Sequence, residues 1–324
     1  MADSLLPFAF HANALAVGGL FTAPTRQIIS SEGSMALAPT GGGGSVTIEN
    51  YNFNNLNLIT CDRIFTSVSG NLDEDGVYRT AATIQLNNFN AFGRISASLV
   101  QATVFSEHRH VRNKRTAESD ITFTAQFRGL SINGVPIEPV LDLDLFNRHP
   151  TYEALHKHLE DVSVKEPKKY LSAFGTTPRE ALANANTNHV LRSSLVQDVS
   201  RECKAGTNGL QRENFTVTVP GFGRVYLGEV LIKKGRRRLN MLRVELDPRV
   251  GEKRPGPPPI SLPPRRRAVG QGEGMMPFAG ATKELIADAA DAQAMSFAAD
   301  AAAAGNEGSA TFGTCETNGA DFLP

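Results

Sequence analysis

Asp142 and Asp144, two residues apart in VLDLDLF, form the pair of carboxylates best spaced for chemistry in this chain. On a strand they share one face, and two carboxylates so placed can work as general acid and base or ligate a cation. The same spacing also suits the wet face of an edge strand, where charge discourages edge-to-edge pairing, and that is the reading adopted for Val140 to Phe146. His108 and His110 repeat the pattern with zinc-ligand chemistry. Arg109, Arg112, Lys114 and Arg115 surround them and oppose a bound cation, so a solvated basic loop is expected. NLDEDG at 71–76 looks superficially like a calcium loop, but its acids lack the alternate spacing and the closing Glu that such a loop needs. Asp75-Gly76 reads instead as a hairpin turn. No Lys-Ser/Thr follows the glycine run Gly41 to Gly44, which is read as a flexible turn and not as a phosphate cradle. Cys61, Cys203 and Cys315 are far apart and match neither a metal site nor a disulfide-dense scaffold, so reduced thiols are expected, with a Cys61–Cys203 pair left open. His156 and His158 cannot share a helix face and are placed in solvent. No Ser/His/Asp order and no paired-cysteine motif stands out. The chain is therefore read as not an enzyme, with no catalytic, metal or cofactor residue assigned.

Basic residues are the other candidates. Lys233, Lys234, Arg236, Arg237 and Arg238 form one cluster, and Arg265, Arg266 and Arg267 a second; these eight are the interaction residues expected from the sequence. The chain balances 33 basic against 33 acidic residues, which argues against a whole-surface affinity for nucleic acid. The balance is uneven along its length. Residues 228–267 carry twelve Lys or Arg against four acids, whereas residues 268–324 carry one Lys against eight acids.

The elements that position these groups read as antiparallel sheet. In ITFTAQF, Ile121, Phe123, Ala125 and Phe127 alternate with Thr122, Thr124 and Gln126, the period of a half-buried strand. Leu130 and Ile132 resume the pattern, and Asn133-Gly134 is a strong signal for a two-residue hairpin turn. Upstream, Phe8 to Ala14 is read as a first strand that breaks at Gly18-Gly19, with a second around Arg26 to Ile29. Val46 to Val68, Val77 to Leu86 and Ala91 to Phe105 continue the sheet. Downstream, Asn214 to Val219, Val225 to Ile232 and Leu239 to Leu246 are strands, the last two joined by the basic cluster. Between these blocks the period changes. Tyr152, Leu155, Leu159 and Val162 lie at helical spacing, and Thr177-Pro178-Arg179-Glu180 is a capping box that opens a second helix. Residues 148–187 are thus a helical insertion, and His189 to Ser200 returns to strand.

The expected body is residues 1–247. Residues 248–280 are Pro- and Arg-rich and read as an extended arm, because proline cannot hold an inner strand or a helix interior. Within 281–324, Ala281 to Ala304 has the propensity of an Ala-rich helix, and the last twenty residues are read as loose. No apolar run is long enough to span a membrane. The N-terminal stretch lacks the basic start and uninterrupted apolar centre of a signal peptide, which favours a cytoplasmic location over the cell surface or exterior.

Two blocks carry a resemblance. Gly129, Leu130, Ile132, Asn133, Gly134 and Pro136 fit G-L-x-[IV]-N-G-x-P, and Val219 to Gly223 with Val225 and Leu227 fit [IV]-P-G-[FV]-G-x-[VI]-x-L. Together they resemble the bacterial choice-of-anchor P type of β-rich domain and related uncharacterised proteins. The likeness extends loosely over residues 7–247. It implies a β-sandwich-like domain, often on or outside the cell, with no settled activity and no functional residue to carry over. A signal peptide and a sorting signal are not evident here, and the helical insertion and long tail depart from the pattern.

The fold expected is mainly β: an antiparallel sandwich-like body with a small helical insertion and an extended C-terminal arm. The function expected is structural. Identical subunits would assemble into a homo-oligomer through sheet edges and the arm. A cell-surface or carbohydrate-binding module is the alternative, with surface polysaccharide or another protein as partner; the absence of Trp weakens it. Nucleic-acid association through 233–267 is a further alternative, disfavoured because the basic runs lack interleaved aromatics.

Overall fold

The computed structural model describes residues 8–21, 27–53, 57–109, 119–188, 190–199, 210–213, 215–247, 308–318 and 321–322. The chain opens with strands β1 (Phe8–Ala9), β2 (Ala12–Phe21), β3 (Gln27–Glu32) and β4 (Met35–Ala36). Next come β5 (Gly42–Asn52), β6 (Ile59–Leu72), β7 (Val77–Ala91), β8 (Ile95–Arg109), β9 (Asp120–Arg128), β10 (Ser131–Ile132) and β11 (Val135–Pro136). An inserted block holds β12 (Val140–Leu141), α1 (Leu143–Arg148), α2 (Tyr152–Lys165), α3 (Pro178–Asn188), β13 (Leu191–Ser194) and β14 (Val196–Asp198). The chain closes with β15 (Gln211–Glu213), β16 (Thr216–Val219), β17 (Gly223–Lys233), β18 (Arg236–Leu246), β19 (Gly308–Asn318) and β20 (Asp321–Phe322).

Sixteen of these strands form two antiparallel sheets packed face to face, a sandwich-like body, while β1 with β20 and β12 with β14 make two separate two-stranded pairs. The first runs β11-β10-β8-β7-β6-β5, with β9 also on β8; the second runs β15-β16-β17-β18-β19-β2-β3, with β13 on β17 and β4 on β2. In β7 and β8 the inward residues Ile84, Leu86, Val100, Ala102 and Val104 are fully buried. Thr83 and Thr103 face outward and share a hydrogen bond of 3.0 Å. That is the one-face-wet alternation of an antiparallel sheet. The alternation slips by one residue at a single level of three neighbouring strands: Cys61 then Ile64, Leu86 then Phe89, Ala97 then Val100 are the buried residues on either side. Asn88 at this level has φ 49° and donates to Asp62 at 2.8 Å. The slip turns Phe89 inward onto Phe312 of the facing sheet, ring centroids 4.9 Å apart.

The tail departs most from expectation. Residues 308–318 are no loose end: β19 lies between β18 and β2 near the middle of the second sheet, with Phe312 and Cys315 fully buried. The body therefore does not end at Leu246. Its completing strand comes from the last stretch of the chain, where Ala310, Phe312 and Cys315 face the other sheet and Thr311, Thr314 and Glu316 face away. Small residues make this possible. A Cβ on Gly19 of β2 would lie 2.4 Å from the Ser309 carbonyl oxygen of β19, so the two strands meet as closely as they do only because that position is glycine. Accordingly β2 runs unbroken through Gly18-Gly19, and β5 begins inside the glycine run, at Gly42.

Further differences concern the groups first considered for chemistry. Residues 140–146 are not one strand, because Asp142 caps α1 by accepting a hydrogen bond from Leu145 N at 3.1 Å. Asp144 sits in the first turn and pairs with Arg148, so the two acids no longer share a strand face. His108 is buried at the end of β8, stacked on Phe8 at 5.1 Å and hydrogen-bonded to Ser119 at 3.1 Å, not part of a solvated loop. His110 lies outside the described residues, as do Cys203, Arg265 to Arg267, the Pro/Arg-rich arm and the Ala-rich segment. The helical insertion forms as expected, with Thr177 and Glu180 making both halves of the capping box.

Candidate functional site

The basic cluster folds into a two-residue turn. Lys233 and Arg236 are Cα partners across β17 and β18, and Lys234-Gly235 link them. Its residues part ways according to strand face. Lys233 and Lys234 are exposed; Lys234 reaches Glu153 of α2 at 3.4 Å. Arg237 points into the sandwich, only 1% exposed. Its guanidinium lies 5.7 Å from the centroid of the Phe123 ring and donates to the carbonyls of His149 at 2.6 Å and Phe146 at 3.4 Å. The expected solvated connector thus holds for the two lysines and fails for Arg237, which ties α1 to the second sheet. Beside it, His149 stacks on His158 at 4.2 Å; burial and the neighbouring charges of His158 and Arg237 push the His149 pKa down.

Arg236 and Arg238 point to the outer face of the second sheet, onto Glu316 of β19, at 2.9 and 2.6 Å. His11 approaches the same carboxylate at 3.7 Å. Burial raises the Glu316 pKa, but the approach of His11 and the charges of Arg238 and Arg236 outweigh it and bring the group down to about 2. Nothing in the local sequence signals this acid, because its partners arrive from a distant hairpin and from the first strands.

Register extends this row into a basic cleft. Arg192 of β13 is the Cα partner of Leu231 on β17, and Leu231 is the partner of Arg238 on β18. Arg192, Leu231, Arg238 and Glu316 are therefore neighbours on one face, with Lys233 and Arg236 in the next row. The start of α3 (Ala181, Asn184) and the segment Phe174 to Thr176 stand over this face and enclose a cleft of about 710 Å³. Four cations line it: Arg192, Lys233, Arg236 and Arg238. Arg192 was not singled out in the sequence; it becomes visible only once β13 is paired with β17. Leu231 and Val190 supply apolar wall, and Glu180 nearby is committed to the capping box and to the Thr176 hydroxyl.

A second feature lies at the far edge of the first sheet. The edge beyond β8 is covered, since Asn147 of α1 bonds both the N–H and the carbonyl of Phe123 in β9, at 2.8 and 3.1 Å, and Ile121 N donates to the Pro150 carbonyl at 3.0 Å. The opposite edge is β5, eleven residues long. It pairs with β6 on one side and, among the described residues, with no strand on the other.

Among the described residues no group of three His, Cys, Asp or Glu is placed to hold a metal ion, and no helix is long and apolar enough to cross a membrane. Cys61 and Cys315 are free and buried; burial pushes the Cys61 thiol up to about 11 and that of Cys315 higher still. Residues 8–210 match the family model described as a domain of unknown function, DUF8256. The match covers more than half of the chain and ends before β15, so β15 to β20 lie beyond it. No curated protein and no solved structure matches the chain significantly. Nothing in these comparisons links it to the choice-of-anchor P type of domain.

Proposed function

The chain belongs to the DUF8256 family, and we propose that it is a structural, self-assembling protein whose copies pair through the open edge of β5. The observation that carries this reading is the contrast between the two edges of the first sheet. A free strand edge is a row of unpaired N–H and C=O groups, and proteins that stay apart blunt such edges with charge, proline, bulges or a covering element. Here β9 is covered by Asn147 and Pro150, whereas β5 has no charged residue and no proline from Gly42 to Ile48. An antiparallel edge is self-complementary about a two-fold axis, so one copy of β5 fits another.

The non-enzymatic part of the proposal rests on what the reactive groups already do. Asp142 caps a helix, Asp144 pairs with Arg148, His108 packs on Phe8, and the buried thiols sit well above their ordinary pKa. Each is occupied by a structural partner.

Light scattering on the full chain tests the proposal. The wild type should be oligomeric at micromolar concentration. Ser45→Lys with Thr47→Lys, both at exposed positions of β5, should turn it into a monomer while shifting the unfolding free energy by no more than about 0.5 kcal/mol per site. A monomeric wild type, or a double variant that assembles unchanged, rejects pairing through β5.

A further inference from the structure

We infer that the cleft between α3 and the outer face of the second sheet is a binding site for a small organic oxyanion, a phosphate or carboxylate carried on a partly apolar body. Its volume of about 710 Å³ lies within the range of small-molecule sites and is roomy enough for a ligand up to about nucleotide size. Its lining divides by chemistry. Phe174, Ala181, Val190 and Leu231 offer apolar surface, and Arg192, Lys233, Arg236 and Arg238 offer positive charge.

The four cations are not equivalent. Arg236 and Arg238 share the carboxylate of Glu316, which orients them and offsets part of their charge. Arg192 and Lys233 pair through their backbones in the sheet, but their exposed side chains make no ion pair or hydrogen bond to a described residue. Register places them on one face of β13 and β17, Arg192 in the row of Leu231 and Lys233 in the next row. A guanidinium and an ammonium that line one cleft without an acid partner form an incomplete site. An oxyanion completes it, since guanidinium takes the two oxygens of a phosphate or carboxylate side by side. The acids nearest the cleft do not compete: Glu316 is saturated by Arg236, Arg238 and His11, and Glu180 by Thr176 and Thr177. The apolar wall then discriminates between a bare anion and one carried on an organic body.

Calorimetric titration of the full chain at low ionic strength tests this with three probes: adenosine monophosphate for a phosphate on an organic body, citrate for carboxylates, and inorganic phosphate for the anion alone. Adenosine monophosphate or citrate should bind at one site per chain, and the identity of the binder distinguishes phosphate from carboxylate. Arg192→Ala with Lys233→Ala should weaken that binding about tenfold or more, while Arg192→Lys retains part of it. Both residues are exposed, so the melting midpoint of each variant should match the wild type and separate lost binding from lost folding. Three results overturn the inference: neither organic probe binds, the double alanine variant binds as the wild type does, or inorganic phosphate binds as tightly as either organic probe. An oligo-aspartate peptide that binds where the small probes do not would assign the cleft to an acidic polypeptide instead.

Discussion

Lys234 and Arg237 stand three residues apart in a basic run that looks uniform in sequence, and their surroundings are opposite. Lys234 is solvated and paired at 3.4 Å with an exposed Glu153, an interaction worth little in water. Arg237 is buried, lies against Phe123 and satisfies two carbonyls at the end of α1. Arg237→Ser leaves those acceptors buried without their donor and should lower the unfolding free energy by about 2–4 kcal/mol. Lys234→Ser should change it by no more than about 0.5 kcal/mol. Urea denaturation of the two variants decides the matter, and equal midpoints would contradict the placement of Arg237. Glu316 gives a pH signature. Its carboxyl is held at about 2 against an ordinary 4.5, so the folded state binds this proton less readily than the unfolded chain. A depressed pKa contributes stability that is complete above the ordinary value and is lost as pH falls from 4.5 toward 2, on the order of 3 kcal/mol at most. Glu316→Gln should remove this part of the acid limb in a series of melts between pH 5 and 2. An unchanged acid limb in that variant would mean that other carboxylates carry it.

The elements that were legible in sequence are those whose signal is local. Asn133-Gly134 forms the expected turn, with φ of 52° and 76°, between β10 and β11. A Cβ at Gly134 meets nothing within 4 Å, so Gly134→Val should cost only its backbone strain, about 1–2 kcal/mol. Thermal melting checks this, and a midpoint equal to the wild type would exclude the left-handed conformation at that residue. The capping box at Thr177 and the helical spacing of Leu155 and Leu159 were readable for the same reason: cap, turn and period are set by residues within a few positions of one another. The candidate site was not readable in this way. Lys233, Arg236 and Arg238 stand out as charges, but whether each faces solvent, cleft or core depends on strand parity. Parity slips within the second sheet too, between Leu227 and Val230 and between Leu239 and Leu242, under the control of partners in other strands. Arg192 and Glu316 belong to the same row only because β13 and β19 join the sheet from remote parts of the chain. The strand Gly308–Asn318 was missed because its glycines, threonines and asparagine read as loose when taken alone. As an inner strand it fits because of glycine on each side: Gly19 of β2 meets the Ser309–Ala310 backbone, and Gly313 sits against Met241 of β18.

At the scale of the whole molecule, the first and last described stretches of the chain meet by strand pairing. β19 lies between β18 and β2, with registered partners on both sides, and β1 pairs with β20. A chain cut after Leu246 therefore loses an inner strand, leaves the facing edges of β18 and β2 unpaired and uncovers the part of β7 and β8 that β19 packs on, and it should not fold cooperatively. Glu245 and Ser309 are Cα partners on adjacent antiparallel strands, so the ends that residues 248–307 connect are already side by side, as in a hairpin. Replacing 248–307 with a short Asn-Gly-containing turn closes the same pair of strands at lower loop entropy. That variant should keep the circular dichroism of the wild type and melt cooperatively, whereas the chain cut after Leu246 should show no such transition. The same variant separates the two routes to assembly expected from the sequence. If copies associate through β5, the shortened chain still forms the oligomer, because β5 lies in the other sheet. If it folds but scatters light as a monomer, the arm and not the sheet edge holds the copies together.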